Sequence, residues 1–219
     1  MLIHTLLVAH IAVLGYWLGS ELVINANFRF VSWAKDMPFE QRDSLLDHVL
    51  DVDQHVRYAL ILQLGLGTAL AGLLGYLPGG GGLAASAGVL TVAWLVLVEA
   101  THRLRKAPVG ALLARIDGGI RYFLIAALPT LCVLALLGPL QLPVWLAVKL
   151  ALFGGVILCG LGIRLAIIRY YQVWRSNNAA GPQPGDENLV RQRYWQATWI
   201  LMVLWLLIAV ILALSLWKP

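Results

Sequence analysis

Charged residues are scarce in this 219-residue chain: Asp, Glu, Lys and Arg make up 12% of it, whereas 60% of it is hydrophobic. A soluble domain carries about 25% charged residues, so this composition excludes a water-soluble protein. The chain also lacks a Cys-x-x-Cys-His haem attachment sequence, a catalytic-triad signature and a phosphate-binding glycine loop. Its two cysteines, Cys132 and Cys159, both fall in apolar stretches, so we expect no extracytoplasmic disulfide.

Six apolar stretches are long enough to cross a membrane, since a transmembrane helix needs about 20 mostly apolar residues. None of them shows the alternation of a transmembrane β-barrel. We therefore predict an all-α polytopic membrane bundle, a single domain with six transmembrane helices and one interfacial helix. The predicted spans are residues 3–24, 56–77, 83–101, 120–137, 144–163 and 196–217.

Basic residues are confined to particular connections between these spans. Residues 76–82 and 138–143 carry no charge, whereas 14 of the 16 Lys and Arg residues fall in three clusters. Cytoplasmic loops of membrane proteins retain Lys and Arg, so we expect both termini on the outer side of a bacterial-type inner membrane. The net charge of +5 then matches contact with the anionic lipids of the bilayer, and nucleic acid is not an expected partner. The clusters are Arg29/Lys35/Arg42/Arg57, Arg103/Arg105/Lys106/Arg115/Arg121 and Arg164/Arg169/Arg175/Arg191/Arg193.

The connection between the first two spans is polar and yet periodic. Asp43, Asp47, Asp51 and His55 recur at every fourth position, so they share one face of a helix. Pro38 precedes this segment and suits a helix start. We predict an interfacial helix over residues 39–54, with its acidic stripe facing water.

Ionisable residues within the spans are the first candidates for function, because burying them in a membrane is costly. His10, Trp17 and Glu21 lie within about 40° of one another around the first helix. Lys149 and His10 belong to different predicted helices. Each lies about 9–10 Å from the outer end of its helix. For each residue a structural interpretation also stays open. Lys149 would extend its amine to the membrane interface, and His10 would be a neutral imidazole bonded to a neighbouring helix.

A second set of ionisable residues lies at the predicted cytoplasmic edge. Glu99-x-x-His102 places a carboxylate and an imidazole one turn apart, a spacing that binds two metals in four-helix carboxylate proteins. Only one such pair is present, so the match is partial. Alternatively, these groups pair with Arg57, Arg103, Arg121 or Arg164 at the headgroup level. The candidate metal ligands are Glu21, His48, Asp51, His55, Glu99 and His102.

Short motifs resemble a known group of membrane proteins. His10-x6-Trp17-x-Gly19 is similar to the opening helix of the CopD-like proteins, a pattern shared by the HemJ-type protoporphyrinogen oxidases. The HemJ-type resemblance implies haem b held by His10 and Lys149 with Trp17 nearby, and the CopD-type resemblance implies copper uptake. The resemblance continues in Arg57-Tyr58 ahead of Gly65 and Gly67, and in Lys149-Leu150-Ala151-Leu152 followed by Gly160 and Arg164.

We therefore expect an inner-membrane haem- or metal-binding protein, redox-linked and an oxidoreductase if it is an enzyme. One alternative is CopD-like transport of copper or another cation along the His10–Glu21 face. Others are a cytoplasmic-edge enzyme using a non-haem transition metal, and a cofactor-free assembly subunit of a larger membrane complex. An electron-transfer or membrane-complex partner would accompany the redox or assembly roles. Because Cu(I) favours thiolate and thioether ligands and Met202 is the one methionine within a span, ligand chemistry favours haem or a harder metal.

Overall fold

A computed structural model describes residues 1–180 and 186–218 of the chain. Six helices account for nearly all of this region, and no strand occurs in it. By length and composition each helix is able to cross a membrane. The all-α bundle of six membrane-spanning helices is therefore confirmed, and the protein is a multi-pass membrane protein. The helices are α1 (Leu2–Trp33), α2 (Phe39–Leu73), α3 (Gly80–Arg103), α4 (Pro108–Leu136), α5 (Val144–Ala180) and α6 (Asp186–Trp217).

Most of these helices are longer than the predicted spans, and the additional turns lie at the basic ends. Helix α1 continues past residue 24 to Trp33, and α5 continues past residue 163 to Ala180. Helix α4 begins at Pro108 and α6 at Asp186, about ten residues before their predicted starts. The 37 residues of α5 correspond to about 55 Å at 1.5 Å per residue, more than a hydrocarbon core of about 30 Å requires. Hydropathy alone does not find these turns, because they carry the charged residues.

The predicted interfacial helix is not a separate element, because residues 39–54 are the first half of the continuous helix α2. Arg42, Val49, Gln63 and Leu70 are all buried at multiples of seven residues, so one packing face runs through the predicted boundary. No proline or glycine occurs between residues 39 and 64 to interrupt the backbone hydrogen bonds. Asp47 and Asp51 are exposed, as expected of an acidic stripe that faces water, whereas Asp43 of the same stripe is half-buried and accepts a hydrogen bond from Trp174.

The chain divides into two compact units. Unit 1 comprises Met1–Ile24 and Asp47–Ile120, and unit 2 comprises Asn25–Leu46 and Arg121–Pro219. Unit 1 carries five Lys or Arg and six Asp or Glu, a formal charge of −1, together with all five histidines. Unit 2 carries eleven Lys or Arg and five Asp or Glu, a formal charge of +6, and no histidine. The prediction of a single domain stays a prediction.

Within unit 1, α2 and α3 pack in antiparallel directions through glycine. Gly65 of α2 lies against Thr91 of α3, and Gly72 lies against Leu83, so residue numbers rise along one helix as they fall along the other. A Cβ atom at Gly65 would overlap the Thr91 side chain. The missing side chain therefore sets how closely these two helices approach.

Within unit 2, α5 and α6 form a second antiparallel pair. Gly155 faces Leu207 and Gly162 faces Ile200, where a Cβ atom would lie 3.3 and 3.5 Å from the α6 side chains. These small residues let α6 lie along α5 over several turns. The same register brings the first turns of α5 beside the last turns of α6.

The basic end of unit 2 is packed around a buried tryptophan. Trp174 of α5 is 3% exposed, and its indole N–H donates to Asp43 Oδ1 at 2.9 Å. The Arg42 guanidinium lies 4.7 Å from the centroid of the Trp174 ring, and Arg42 Nε donates to the Val31 carbonyl at 3.0 Å. Phe39 stacks on Trp174 with its ring centroid 5.0 Å away. These contacts join the start of α2 to α5 within unit 2.

Candidate functional site

The predicted functional face of α1 is its packing face in unit 1. Trp17 is 2% exposed and Glu21 is 5% exposed, while His10 is half-buried. Ile24, one turn beyond Glu21, is also buried. The periodicity of the sequence therefore placed Trp17 and Glu21 correctly on the side of α1 that contacts protein.

The Glu21 carboxylate is the most deeply buried ionisable group on this face. Trp17, one turn earlier on α1, donates its indole N–H to Glu21 Oε1 at 3.3 Å. The charge of Asp53 on α2 also acts on Glu21, and Asp53 is itself bonded to Arg57 at 2.9 Å. A carboxylate removed from water within a membrane-spanning helix is costly to retain, so its presence indicates a role beyond packing.

His10 is positioned by two residues one turn apart on α2. Gln63 Nε2 donates to the His10 carbonyl oxygen at 3.0 Å. The imidazole lies against Gly67, where a Cβ atom would lie 3.4 Å from its Cε1 and 3.9 Å from its Nε2. Since Gly67 has no side chain, the edge of the imidazole comes close to the α2 backbone.

Hydroxyl, imidazole and carboxylate groups of α1, α2 and α3 are linked in a series that begins at Tyr16 and ends at Glu99. The Tyr16 hydroxyl and His55 Nδ1 share a hydrogen bond of 2.5 Å, and the His55 ring contacts Tyr58 edge-on. Tyr58 donates its hydroxyl to the Glu99 carboxylate, which also accepts from Arg103. The Glu99–Arg103 ion pair is one that the ion-pair alternative predicted. We call Tyr16, His55, Tyr58 and Glu99 the inner-edge cluster.

The predicted metal ligands do not converge on one point. His48 and Asp51 are exposed on α2, and His102 lies one turn after Glu99, close enough for its charge to act on that carboxylate. Across residues 1–180 and 186–218, no three His, Cys, Asp or Glu side chains are placed to hold a metal ion. The metal-site hypothesis on these residues stays a prediction without a supporting cluster.

Lys149 has a partner within unit 2. Its amine donates to Ser215 Oγ on α6 at 2.9 Å, and the side chain is half-buried. His10 belongs to unit 1 and Lys149 to unit 2. The shared haem site that the resemblance implies for them stays a prediction.

Unit 1 contains a second buried carboxylate that was not predicted from the sequence. Asp117 of α4 is 2% exposed and accepts a hydrogen bond from the Trp94 indole N–H at 2.8 Å. It precedes the predicted fourth span, so it was expected in a connection, whereas α4 already begins at Pro108. The one available signal was a single acidic residue within an otherwise basic segment. Tyr16, Asp53 and Tyr58 were missed as well, since their roles depend on contacts between helices.

Comparison with protein-family models, curated proteins and solved structures finds no match for this chain. The similarity to CopD-like and HemJ-type proteins therefore remains an expectation based on short motifs. The buried carboxylates, the histidines and the hydrogen bonds of unit 1 are therefore the basis for assigning a function.

Proposed function

We propose that this protein is a multi-pass inner-membrane protein that transfers protons along the polar face of α1, with both termini on the outer side. The observation that carries this proposal is Glu21, a carboxylate 5% exposed within a membrane-spanning helix and bonded to Trp17. Buried ionisable groups in membrane helices mark ion pathways and proton relays. The proposal follows the cation-transport alternative, with the proton as the transported cation.

Unit 1 contains further groups that are suited to accepting and releasing protons. In the inner-edge cluster, His55 is bonded to Tyr16 and Glu99 to Tyr58, so each titratable group has a hydroxyl within hydrogen-bond distance. His10 lies eleven residues before Glu21, about 16 Å along the helix axis. One hydrogen bond does not cover that distance. Proton transfer between His10 and Glu21 therefore requires water molecules along this face of α1.

The described residues favour the proton over copper. Copper(I) transport needs thiolate or thioether groups along the path. Cys132, Cys159 and Met202 all belong to unit 2, and Met202 is exposed on α6. Glu21 instead shares unit 1 with carboxylate, imidazole and phenol groups, and these exchange protons readily.

A second candidate function is redox chemistry with haem b, favoured by the setting of His10. Imidazole is a common ligand of haem iron, and the His10 ring is half-buried against Gly67 of α2. His10 would hold the haem, which would supply one-electron chemistry when bound.

Proton flux in proteoliposomes tests the leading proposal. A potassium diffusion potential drives protons into vesicles that contain a pH-sensitive dye, and the wild-type protein is compared with three variants. We expect Glu21→Gln to reduce the flux at least about tenfold, because the amide cannot carry a proton, and Glu21→Asp to retain most of it. Asp47→Asn, at an exposed position of the same unit, is the matched control and should leave the flux unchanged.

Two outcomes decide between the candidates. Wild-type flux in the Glu21→Gln vesicles would eliminate proton transfer through Glu21. An absorption spectrum of the same preparations reports on haem, since a Soret band that disappears in His10→Ala would favour the redox function. Preparations without that band would leave the redox function unsupported.

A further inference from the structure

An ion pair on α2 is held more closely to the protein than the other acidic residues of the same helix. Arg57 donates to Asp53 Oδ2 through Nη2 at 2.9 Å and through Nε at 3.2 Å. The Asp53 side chain is 29% exposed and the Arg57 side chain 25% exposed, whereas Asp47 and Asp51 are exposed. The pair is therefore partly withdrawn from water and screened less than a surface pair.

The register of α1 and α2 determines which part of α1 this pair faces. Gln63 bonds to the His10 carbonyl oxygen, and His55 bonds to Tyr16, so residue numbers fall along α2 as they rise along α1. The turn of α1 that follows Tyr16 therefore lies against the turn of α2 that precedes His55. Both turns belong to unit 1.

These two turns contain Glu21 and Asp53. On α1 the Trp17 indole donates to Glu21 Oε1 at 3.3 Å, and on α2 the negative charge of Asp53 acts on the Glu21 carboxylate. Glu99 and Arg103 of α3 form an ion pair with each other. Helix register and electrostatic interaction thus agree that Asp53 is a charged neighbour of Glu21.

We propose that Asp53 is a further functional residue of the Glu21 site, where its charge controls how readily Glu21 binds and releases a proton, and that Arg57 is a positioning residue for Asp53. This inference rests on the proposed proton transfer through Glu21. Arg57 also offsets part of the Asp53 charge. Because the two side chains carry opposite charges, the loss of one changes the electrostatic potential at Glu21 in the opposite sense to the loss of the other.

Titration of Glu21 in the full-length protein tests this role. Infrared difference spectra of the proteoliposomes record the C=O stretch of protonated carboxyl groups, and the loss of a band in Glu21→Gln assigns that band to Glu21. Asp53→Asn removes a negative charge, so we expect the titration midpoint and the pH of half-maximal proton flux to fall by about half a pH unit or more. Arg57→Gln removes a positive charge and should raise both.

Three further variants separate the effect of charge from an effect on structure. Arg57→Lys keeps the positive charge and should titrate near the wild-type midpoint. The double variant of Asp53→Asn and Arg57→Gln removes both charges and should titrate between the two single variants. Asp47→Asn, at an exposed position six residues earlier on α2, is the matched control and should leave the midpoint unchanged.

The inference and the proposed function fail in different measurements. Wild-type flux in Glu21→Gln would eliminate proton transfer through Glu21, while the infrared titration would still measure the effect of Asp53 on that carboxylate. Reduced flux in Glu21→Gln, combined with midpoints that shift in the same direction or not at all in Asp53→Asn and Arg57→Gln, would overturn the inference and leave proton transfer in place.

Discussion

Aromatic residues contact charged groups in different ways in the two units. In unit 1 their N–H and O–H groups donate to carboxylates, as in Trp17–Glu21, Trp94–Asp117 and Tyr58–Glu99. In unit 2 Trp174 donates to Asp43 in the same way, but aromatic ring faces also receive guanidinium groups, as in Trp174–Arg42, Trp33–Arg191 and Tyr171–Arg175. The first arrangement retains titratable groups within helices, whereas the second fixes permanent charge at helix ends.

This difference indicates a division of labour along one chain. All five histidines and six of the eleven Asp and Glu residues belong to unit 1, so that unit holds most of the imidazole and carboxylate groups. Unit 2 holds eleven of the sixteen Lys and Arg residues and carries a formal charge of +6. We infer that unit 1 holds the chemistry and that unit 2 orients and anchors the protein in an anionic membrane.

The largest expected effect concerns orientation, where labelling is all or none. In a background of Cys132→Ala and Cys159→Ala, single cysteines replace Lys35, Lys106 and Gly81, which are exposed in the structure. We expect an impermeant maleimide to label position 81 in intact cells, and positions 35 and 106 only after the membrane is opened, because basic connections stay in the cytoplasm. Labelling of position 106 in intact cells would contradict the orientation proposed for both units.

The next largest effect concerns the anchor of unit 2. Trp174→Ala removes a buried indole and leaves Arg42 and Asp43 without their shared partner, so we expect it to lower the free energy of unfolding by about 3–5 kcal/mol. Unfolding in detergent is followed by exposure of the buried Cys132 thiol. Trp199→Ala, at a side chain 68% exposed on α6, is the matched control and should cost about 0.5 kcal/mol or less. Equal costs for the two variants would remove Trp174 as the anchor.

A smaller effect is expected at the helix contact of unit 1. Gly65→Ala places a methyl group on the Thr91 side chain, so we expect destabilisation of about 1–3 kcal/mol. Gly88→Ala on α3 meets no atom within 4 Å and should leave stability unchanged or raise it by up to about 1 kcal/mol through helix propensity. The same thiol-exposure assay compares them. A neutral Gly65→Ala variant would show that α2 and α3 are less closely packed than described.

The sequence predicted the six spans because hydropathy reports directly on burial in lipid. It also placed Trp17 and Glu21 on one face, since helical periodicity is a local property. The continuity of α2 was not predicted, because two residues of its packing face, Arg42 and Gln63, are polar and their burial is visible only in the structure.

The partners of the functional groups were not predictable in the same way. The Tyr16–His55 and Trp94–Asp117 hydrogen bonds join residues 39 and 23 positions apart, and no local pattern indicates which residues face each other across two helices. The predicted metal ligands do not converge for a related reason. They were grouped because their sequence positions fall at the same predicted edge of the membrane, and such a position does not determine where a side chain points. The Glu99–Arg103 pair was accessible because it lies within one turn of a single helix.

The most direct test of the division between the units compares one carboxylate from each in the same flux assay. Glu21→Gln alters unit 1 and Asp43→Asn alters unit 2, and each removes one negative charge at an interior hydrogen bond to tryptophan. Proton flux per reconstituted molecule should fall at least about tenfold in Glu21→Gln and stay near the wild-type value in Asp43→Asn. Equal flux in the two variants, or a loss confined to Asp43→Asn, would contradict the assignment of proton transfer to unit 1.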